Sequence, residues 1–307
     1  MVAAFQLAGL TLFERGWLSS NCVLFVASSG GETVLIDSGY CTHADQTLAL
    51  VRSTLGQRRL DRIVNTHLHS DHCGGNAALQ QAFDCRIDVP SGEAAVVDRW
   101  DTQALTFDAT QQQCPRFLRT GALAPGEQIS LAGRSWRALA APGHDPQSLI
   151  LFEPELRILI SADALWQNGF GVVFPEILGH EAFQQVSDTL DLIEHLNPRW
   201  VIPGHGSPFD DVTAALSRAR QRLGAFVESP LRHARHAAKV LLKFHLLEVK
   251  VAEREALQLW ARATPYLSTL HRTHFADHTA DRWSERLIDE LVQSGVARYS
   301  GEFVVDI

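Results

Sequence analysis

The 307-residue chain has no run of about 18 apolar residues, so a membrane-spanning helix of ordinary length is not expected. Its first residues, Met1 to Glu14, lack a basic segment ahead of an apolar one and meet an acid early, which does not read as a secretory signal. Cysteine is sparse and unpatterned: Cys22, Cys41, Cys73, Cys85 and Cys114 are odd in number and form no C-x-x-C pair. That usage fits reduced thiols rather than a disulfide framework, and a cytoplasmic location is expected. Positive charge is also short. The 27 basic and 35 acidic residues leave a net charge of −8, which disfavours a wholly basic nucleic-acid surface without excluding a local patch. Only three lysines occur, Lys239, Lys243 and Lys250, all in the last third. No fixed-period repeat or low-complexity tract stands out. With 46% hydrophobic and 20% charged residues the composition is that of a packed globular protein, which argues against long disorder or a fibrous fold. The length exceeds that of a usual single domain.

β-Prone runs open the chain at Phe5 to Phe13, Cys22 to Ala27 and Glu32 to Ile36, the last two joined by a Ser28-Ser29-Gly30-Gly31 hairpin turn. Helix and strand then alternate. His43 to Leu55 has a helical pattern, Arg62 to Asn65 reads as a buried strand, and Gly75 to Phe83 opens another helix. A helix near Gly92 to Trp100 leads into Asp101 to Gly126, which is polar and weakly periodic; a connection that long reads as a functional cap. Strands are expected again at Gln128 to Leu131, Ser135 to Ala140, Ser148 to Phe152 and Arg157 to Ser161, followed by an amphipathic helix, Glu181 to Leu196, and a strand, Trp200 to Pro203. From Asp210 the pattern turns helical, at Val212 to Val227, Leu231 to Val249, Glu253 to Ala263 and Asp281 to Gly295, before a hairpin-like end, Ala297 to Ile307. Helices closed by a small β-ribbon point to a winged-helix-like appendage. The expected organisation is an α/β domain over residues 1–209 and a mainly helical domain over residues 210–307.

The sharpest signal is His67-Leu68-His69-Ser70-Asp71-His72, an H-x-H-x-D-H run directly after an expected strand. At this composition about two such runs would arise by chance in a thousand sequences of this length, so coincidence explains it poorly. Imidazole and carboxylate are borderline-to-hard ligands that suit zinc, manganese or iron, and several of them on one irregular loop can point at one or two ions. Further candidates stand at strand ends: His144 in Pro142-Gly143-His144-Asp145, Asp163 in Ser161-Ala162-Asp163, and His205 in Pro203-Gly204-His205-Gly206. Singly, a histidine after Pro-Gly is more often a cap or a core group than a ligand. Together, delivered by a sheet to one edge, they complete two sets of ligands.

These motifs, with Asp37 in Leu35-Ile36-Asp37-Ser38-Gly39, stand in the order of the five motifs of the metallo-β-lactamase fold superfamily, which the sequence resembles over about residues 5–209. The resemblance implies a four-layer αββα sandwich with a dinuclear site between two facing sheets. It implies that His67, His69 and His144 bind one metal and Asp71, His72 and His205 the other, that Asp163 bridges them, and that Asp37 orients the ligand loop. Two divalent ions per chain, zinc foremost with iron or manganese as alternatives, would lower the pKa of a shared water and act as Lewis acids on the scissile group. Asp71 and Asp163 are then the carboxylates of the catalytic centre, and no Ser or Cys nucleophile is needed. Cys73, beside His72, reads as packing rather than as a nucleophile.

Within the superfamily, Thr66 to Asn76 (THLHSDHCGGN) and Pro142 to Ser148 (PGHDPQS) are most similar to the hydroxyacylglutathione hydrolases (glyoxalase II) and their thioesterase relatives. The chain departs from them in a longer C-terminal extension and in Gly301 to Ile307, which lack that family's basic glutathione-binding tail. The expected activity is hydrolysis of a small-molecule thioester, or a related carboxylic ester or lactone. The alternatives on the same ligands are phosphoester cleavage, RNA included; oxidation of a persulfide by a single iron; and a regulatory protein that keeps the site but works through its C-terminal domain. A homodimer is an open alternative for the assembly.

Weaker signals surround this centre. Trp166, Phe170 and Phe174 follow Asp163, and Trp100, Phe107 and Phe117 lie in or beside the cap, where they form either an acyl pocket above the metals or ordinary core packing. Arg218, Arg220, Arg222, Arg232, Arg235, Lys239 and Lys243 are met by Glu228 alone between residues 217 and 243. A solvated helix face is the usual explanation. The sharper one, centred on Arg232, Arg235 and Lys239, is a grip on a phosphate-bearing handle such as coenzyme A, or on an RNA backbone. His271, His274 and His278 have ligand-like spacing with only Asp277 beside them, and a third metal is not expected there.

Overall fold

The computed structural model describes residues 1–27, 30–179 and 181–307. Helix α1 (Val2–Leu7) leads into a six-stranded sheet ordered β1-β2-β3-β4-β5-β6: β1 (Leu10–Phe13), β2 (Cys22–Val26), β3 (Thr33–Ile36), β4 (Arg62–Val64), β5 (Arg86–Pro90) and β6 (Gly121–Leu123). The first three strands pair antiparallel and the rest parallel. A second sheet, ordered β11-β10-β9-β8-β7, contains β7 (Gln128–Leu131), β8 (Arg134–Ala140), β9 (Leu149–Glu153), β10 (Ile158–Ala162) and β11 (Trp200–Pro203). Only its β10–β11 pair is parallel.

The sheets pack face to face because their strands alternate two apolar sets. Val23 and Phe25 of β2 share one core with Leu149 and Leu151 of β9 and with Trp136. Leu24, one residue out of phase, faces the helices on the other side of the first sheet, and Ile150 does the same on the second. Strands covered on both faces read as unbroken apolar runs, as Val23-Leu24-Phe25 and Leu149-Ile150-Leu151-Phe152 do. The outer layers are α2 (Ala44–Leu55), the single turn α3 (Ser70–Cys73), α4 (Asn76–Phe83), α5 (Ala94–Arg99) and α6 (Phe107–Thr110) on the first sheet's side, and α7 (Pro175–Leu178), α8 (Ala182–Leu196) and α9 (Val212–Glu228) on the second's. This is the expected four-layer αββα sandwich.

The chain continues through α10 (Pro230–Val249), β12 (Val251–Glu253), α11 (Arg254–Ala263), α12 (Pro265–His274), α13 (Ala280–Gln293), β13 (Ala297–Ser300) and β14 (Phe303–Asp306), with a small antiparallel sheet ordered β12-β14-β13. These elements enclose a core of their own, including Ala234, Leu242, Leu267, Ile288 and Val304. Helix α9 instead shares the core of the second sheet through Ala215, Leu216, Ala219 and Leu223. The break between α9 and α10 is written in Ser229-Pro230: the Ser229 hydroxyl accepts from Arg232 N, and Pro230 starts the next helix where its missing N–H costs nothing. Leu242 is fully buried in the C-terminal core. Leu242→Ala should therefore destabilise the protein by about 2–5 kcal/mol, read by chemical denaturation.

Three sequence expectations change. The run from Phe5 to Phe13 is not one strand: Ala3, Ala4, Gln6 and Leu7 favour α1, and Gly9 at φ 65 turns the chain before β1 begins. The cap, Asp101 to Gly126, is not wholly outside the sheet, since β6 pairs with β5. Helix α12 was not expected, although Pro265 marks its first turn. The turn expected at Ser28-Ser29-Gly30-Gly31 falls partly outside the described residues, which omit Ser28 and Ser29.

Candidate metal centre

Five strand ends meet at one rim of the sandwich. Asp37 follows β3, His67 to His72 follow β4, His144 follows β8, Asp163 follows β10 and His205 follows β11. Asp37 (φ 57) and Ala162 (φ 45) adopt left-handed backbone, which turns the chain sharply at the ends of β3 and β10. The Asn21 amide donates to Pro203 O (2.9 Å) and Gly206 O (2.7 Å) and ties the His205 turn to the first sheet.

Hydrogen bonds decide which ring nitrogens face inward. Asp37 Oδ2 accepts from His72 Nδ1 (2.8 Å) and from the Thr66 hydroxyl (2.7 Å), while Asp37 Oδ1 accepts from Thr66 N (2.9 Å). With its proton given to Asp37, the Thr66 hydroxyl is left to accept from His67 Nδ1 (3.1 Å). His144 Nδ1 donates to Val172 O (2.5 Å). His67 and His72 thus keep Nε2 free, and both of these buried atoms lack a hydrogen-bond partner among the described residues. His69 Nδ1 faces His144 Nε2 at 2.7 Å. Buried imidazole nitrogens without partners are costly unless a ligand meets them, and here they converge.

Three sets of donor atoms lie within 4.8 Å of one another: those of His67, His69 and His144; of His67, His72 and Asp163; and of Asp71, His72 and His205. Asp163 Oδ1 is 3.4 Å from His72 Nε2 and its Oδ2 is 3.4 Å from His144 Nε2, so one carboxylate looks both ways. Asp71 Oδ2 lies 3.0 Å from His205 Nε2. Burial and neighbouring histidines hold His67 well below the usual imidazole range, and burial takes His144 down to about 4, so both are neutral at pH 7 and able to donate a lone pair. Burial opposes the Asp163 carboxylate, yet His72 and His205 outweigh it and keep its pKa well below the ordinary value. The donor set fits a divalent metal site.

The family profile described as Metallo-beta-lactamase superfamily matches residues 15–205. The chain belongs to this superfamily. Among curated relatives it is 31% identical to a hydroxyacylglutathione hydrolase of Acidiphilium cryptum over 44% of this chain and 46% of that one. It is also 23% identical to the beta-lactamase-like protein 2 homolog of Caenorhabditis elegans over 71% of this chain and 64% of that one. The chain thus spans about half the length of that hydroxyacylglutathione hydrolase. A solved metallo-beta-lactamase family protein of Thermus thermophilus superposes with a TM-score of 0.59 at 19% identity, covering 97% of this chain and 99% of that one, which shows a shared fold through the C-terminal helices.

In this metallo-β-lactamase sandwich the rim opens into a cavity of about 450 Å³ between the His/Asp cluster and α10. Trp166, Phe170 and Phe174 line it, as do Val240, Phe244 and Leu247 of α10. Trp166 Nε1 also donates to Asp163 Oδ1 (3.2 Å). Trp100, Phe107 and Phe117 do not reach the cavity; they pack on one another beneath the first sheet. Lys239 is on the wall, whereas Arg232 is exposed at the start of α10 and Arg235 lies 3.8 Å from Glu290, both off the cavity lining. Sequence reasoning missed Trp17, which is half-exposed at the mouth and stacks on His205 with centroids 5.5 Å apart and 9° between planes. No local pattern announces it, because its partners come from a distant turn.

The C-terminal helices also hold the rim in place. Tyr40, three residues after Asp37, donates its hydroxyl to Glu248 of α10 (3.0 Å). Glu176 accepts from Tyr266 (2.9 Å) and from His274 (3.2 Å) of α12, which steadies the segment whose Val172 carbonyl orients His144. His271 instead meets His278 O (2.9 Å), and no ligand set among the described residues includes His271, His274 or His278.

Proposed function

We propose that the chain is a dinuclear metal-dependent hydrolase, with zinc the foremost metal, acting on a small-molecule thioester or a related carboxylic ester or lactone. The observation that carries this reading is a carboxylate, Asp163, set between two ligand sets at the floor of a largely apolar cavity. His67, His69 and His144 would hold one ion, and Asp71, His72 and His205 the other. Divalent ions bound there supply Lewis acidity and make a coordinated water acidic enough to ionise near neutral pH. Asp37 keeps the proton on His72 Nδ1 and so presents Nε2. Trp166 fixes the rotation of the Asp163 carboxylate. The aromatic wall excludes water from an acyl chain, which favours a small acyl substrate over a polynucleotide.

The reading includes a catalytic domain over residues 1–209 and a winged-helix-like domain over residues 210–307, whose first helix, α9, braces the sandwich. It also includes a cytoplasmic location, argued from an odd number of cysteines without C-x-x-C spacing.

Elemental analysis of protein purified without added metal, joined to a screen of acyl-thioester, lactone, phosphodiester and persulfide substrates, tests the proposal. Zinc with thioester or ester turnover is expected. A full metal complement with turnover of phosphodiesters or persulfides alone, or of nothing, would overturn it.

Cys73 has no part in this chemistry. Its thiol is buried, 3.6 Å from that of Cys114, and burial together with Cys114 raises its pKa well above the usual thiol value. Cys73→Ala should keep more than about half of wild-type kcat/KM, measured on the best thioester of the screen, since the protonated thiol is no nucleophile.

A further inference from the structure

Three cations line the far wall of the cavity: Lys243 is paired with Asp306 and Lys239 shares Glu290, which leaves Arg222. Arg222 of α9 lines the cavity, is half-buried, and has no carboxylate within 4.0 Å among the described residues. Its neighbours on the same helix do find partners: Arg218 donates to Gln167 O (2.8 Å), and Arg220 reaches Asp191 and Glu194 at 2.7 Å each. On α10, Lys239 also lines the cavity, 3.6 Å from Glu290, but Glu290 is shared with Arg235 (3.8 Å) and Arg286 (3.4 Å). Three cations therefore share one carboxylate, and Arg222 has none within reach among the described residues.

The place of Arg222 is shaped by backbone. Gly169 has φ 130, and a Cβ there would come 2.5 Å from Arg222 Nη1 and 2.8 Å from its Cζ, so only glycine lets the guanidinium lie against this loop. Two residues on, a Cβ at Gly171 would meet His144 Nδ1 at 2.6 Å. One short strip thus has the unpaired cation at one end and a ligand histidine at the other. Two residues of chain reach at most about 7 Å, which puts the guanidinium on the order of 10 Å from His144. Phe170, between them, lines the cavity. A half-buried guanidinium without an anion forgoes the charge-assisted, bidentate bonds its fork is built to make.

We propose that Arg222 anchors a carboxylate or phosphate group of the substrate, with Lys239 adding attraction along the same wall. The substrate class then narrows to esters or thioesters that carry an anionic group several bonds from the scissile carbonyl. In naming a substrate class this rests on the hydrolase reading, whereas the anion site itself does not.

Two pairs of thioesters test it. Glutaryl and pentanoyl thioesters of N-acetylcysteamine differ in one terminal carboxylate; butyryl-4′-phosphopantetheine and butyrylpantetheine differ in one phosphate. With zinc-loaded enzyme, Arg222→Gln should raise KM for one charged member by about tenfold or more, leave its kcat within about twofold, and leave the neutral member unchanged, because a contact remote from the reacting carbon is made alike in ground and transition states. The pair that responds identifies the anion. Arg222→Lys should recover part of the loss, and Arg218→Gln, on the same helix but off the cavity, should change neither pair. Equal losses on charged and neutral members, or no rise in KM for either charged one, would overturn the proposal.

A binding titration separates its fate from that of the hydrolase. Adipate or inorganic phosphate, followed by tryptophan fluorescence, should bind wild type at least about tenfold more tightly than Arg222→Gln. That dependence with no thioester cleaved would sink the hydrolase reading and leave the anion site standing. Cleavage of thioesters with both ligands bound alike by the two proteins would sink the anion site alone.

Discussion

Asp163→Asn should lower kcat roughly a thousandfold in metal-loaded enzyme while the chain stays folded, a loss that corresponds to about 4 kcal/mol of transition-state stabilisation. Asparagine keeps the shape of the side chain and can still accept from Trp166 Nε1. What it cannot keep is the second negative oxygen. Asp163 faces His72 with one oxygen and His144 with the other, each at 3.4 Å, and an amide must turn its NH₂ toward one of them. Burial penalises the ionised acid, but His72 and His205 hold it ionised, so the charge is present at any pH at which the enzyme would work. Removing it takes away the one negative group that faces both His72 and His144. Elemental analysis beside kcat, with circular dichroism as the folding check, measures the effect. A variant with full metal and more than about a tenth of wild-type kcat would remove Asp163 from the catalytic centre.

Much of this rim was legible because each chemical residue follows a β-prone run, and strands are what carry residues far apart in sequence to one edge. His144, Asp163 and His205 are each read that way. The orientation of the rings was not legible. It depends on Asp37 turning through φ 57 to reach both Thr66 and His72, a consequence of backbone geometry that no residue pattern encodes. The basic run from Arg218 to Lys243 shows the opposite failure. Locally it faces Glu228 alone, but Asp191, Glu194, Glu290 and Asp306 reach Arg220, Arg235, Lys239 and Lys243 from other elements, and Arg222 is singled out as the cation on the cavity wall that no carboxylate approaches among the described residues. At the N-terminus, Phe5 to Phe13 misled because apolar residues in a short segment serve a helix as well as a strand, and Gly9 sits between the two.

Chelated and reloaded protein should take up two zinc ions per chain, and His205→Ala close to one. A single tetrahedral site needs three or four ligands, whereas seven candidate donors meet here, in sets that share His67 and His72 but are otherwise distinct. His205 belongs to the set with Asp71 and His72, and its Nε2 lies 4.0 Å from the nearer Asp163 oxygen. Taking it away leaves Asp71 without the partner that holds it at 3.0 Å, so the second set loses a ligand and the positioning of another. The set of His67, His69 and His144 is untouched, because Thr66 orients His67, Val172 O orients His144 and His69 packs against His144, none of them through His205. Calorimetric titration with zinc, checked by elemental analysis after desalting, reads the stoichiometry directly. Saturation of wild type at one ion would reject the dinuclear reading and move the chain toward single-metal chemistry. Loss of both ions from His205→Ala in a folded protein would mean that the two sets act as one site, and the proposed division of ligands between two ions would be wrong.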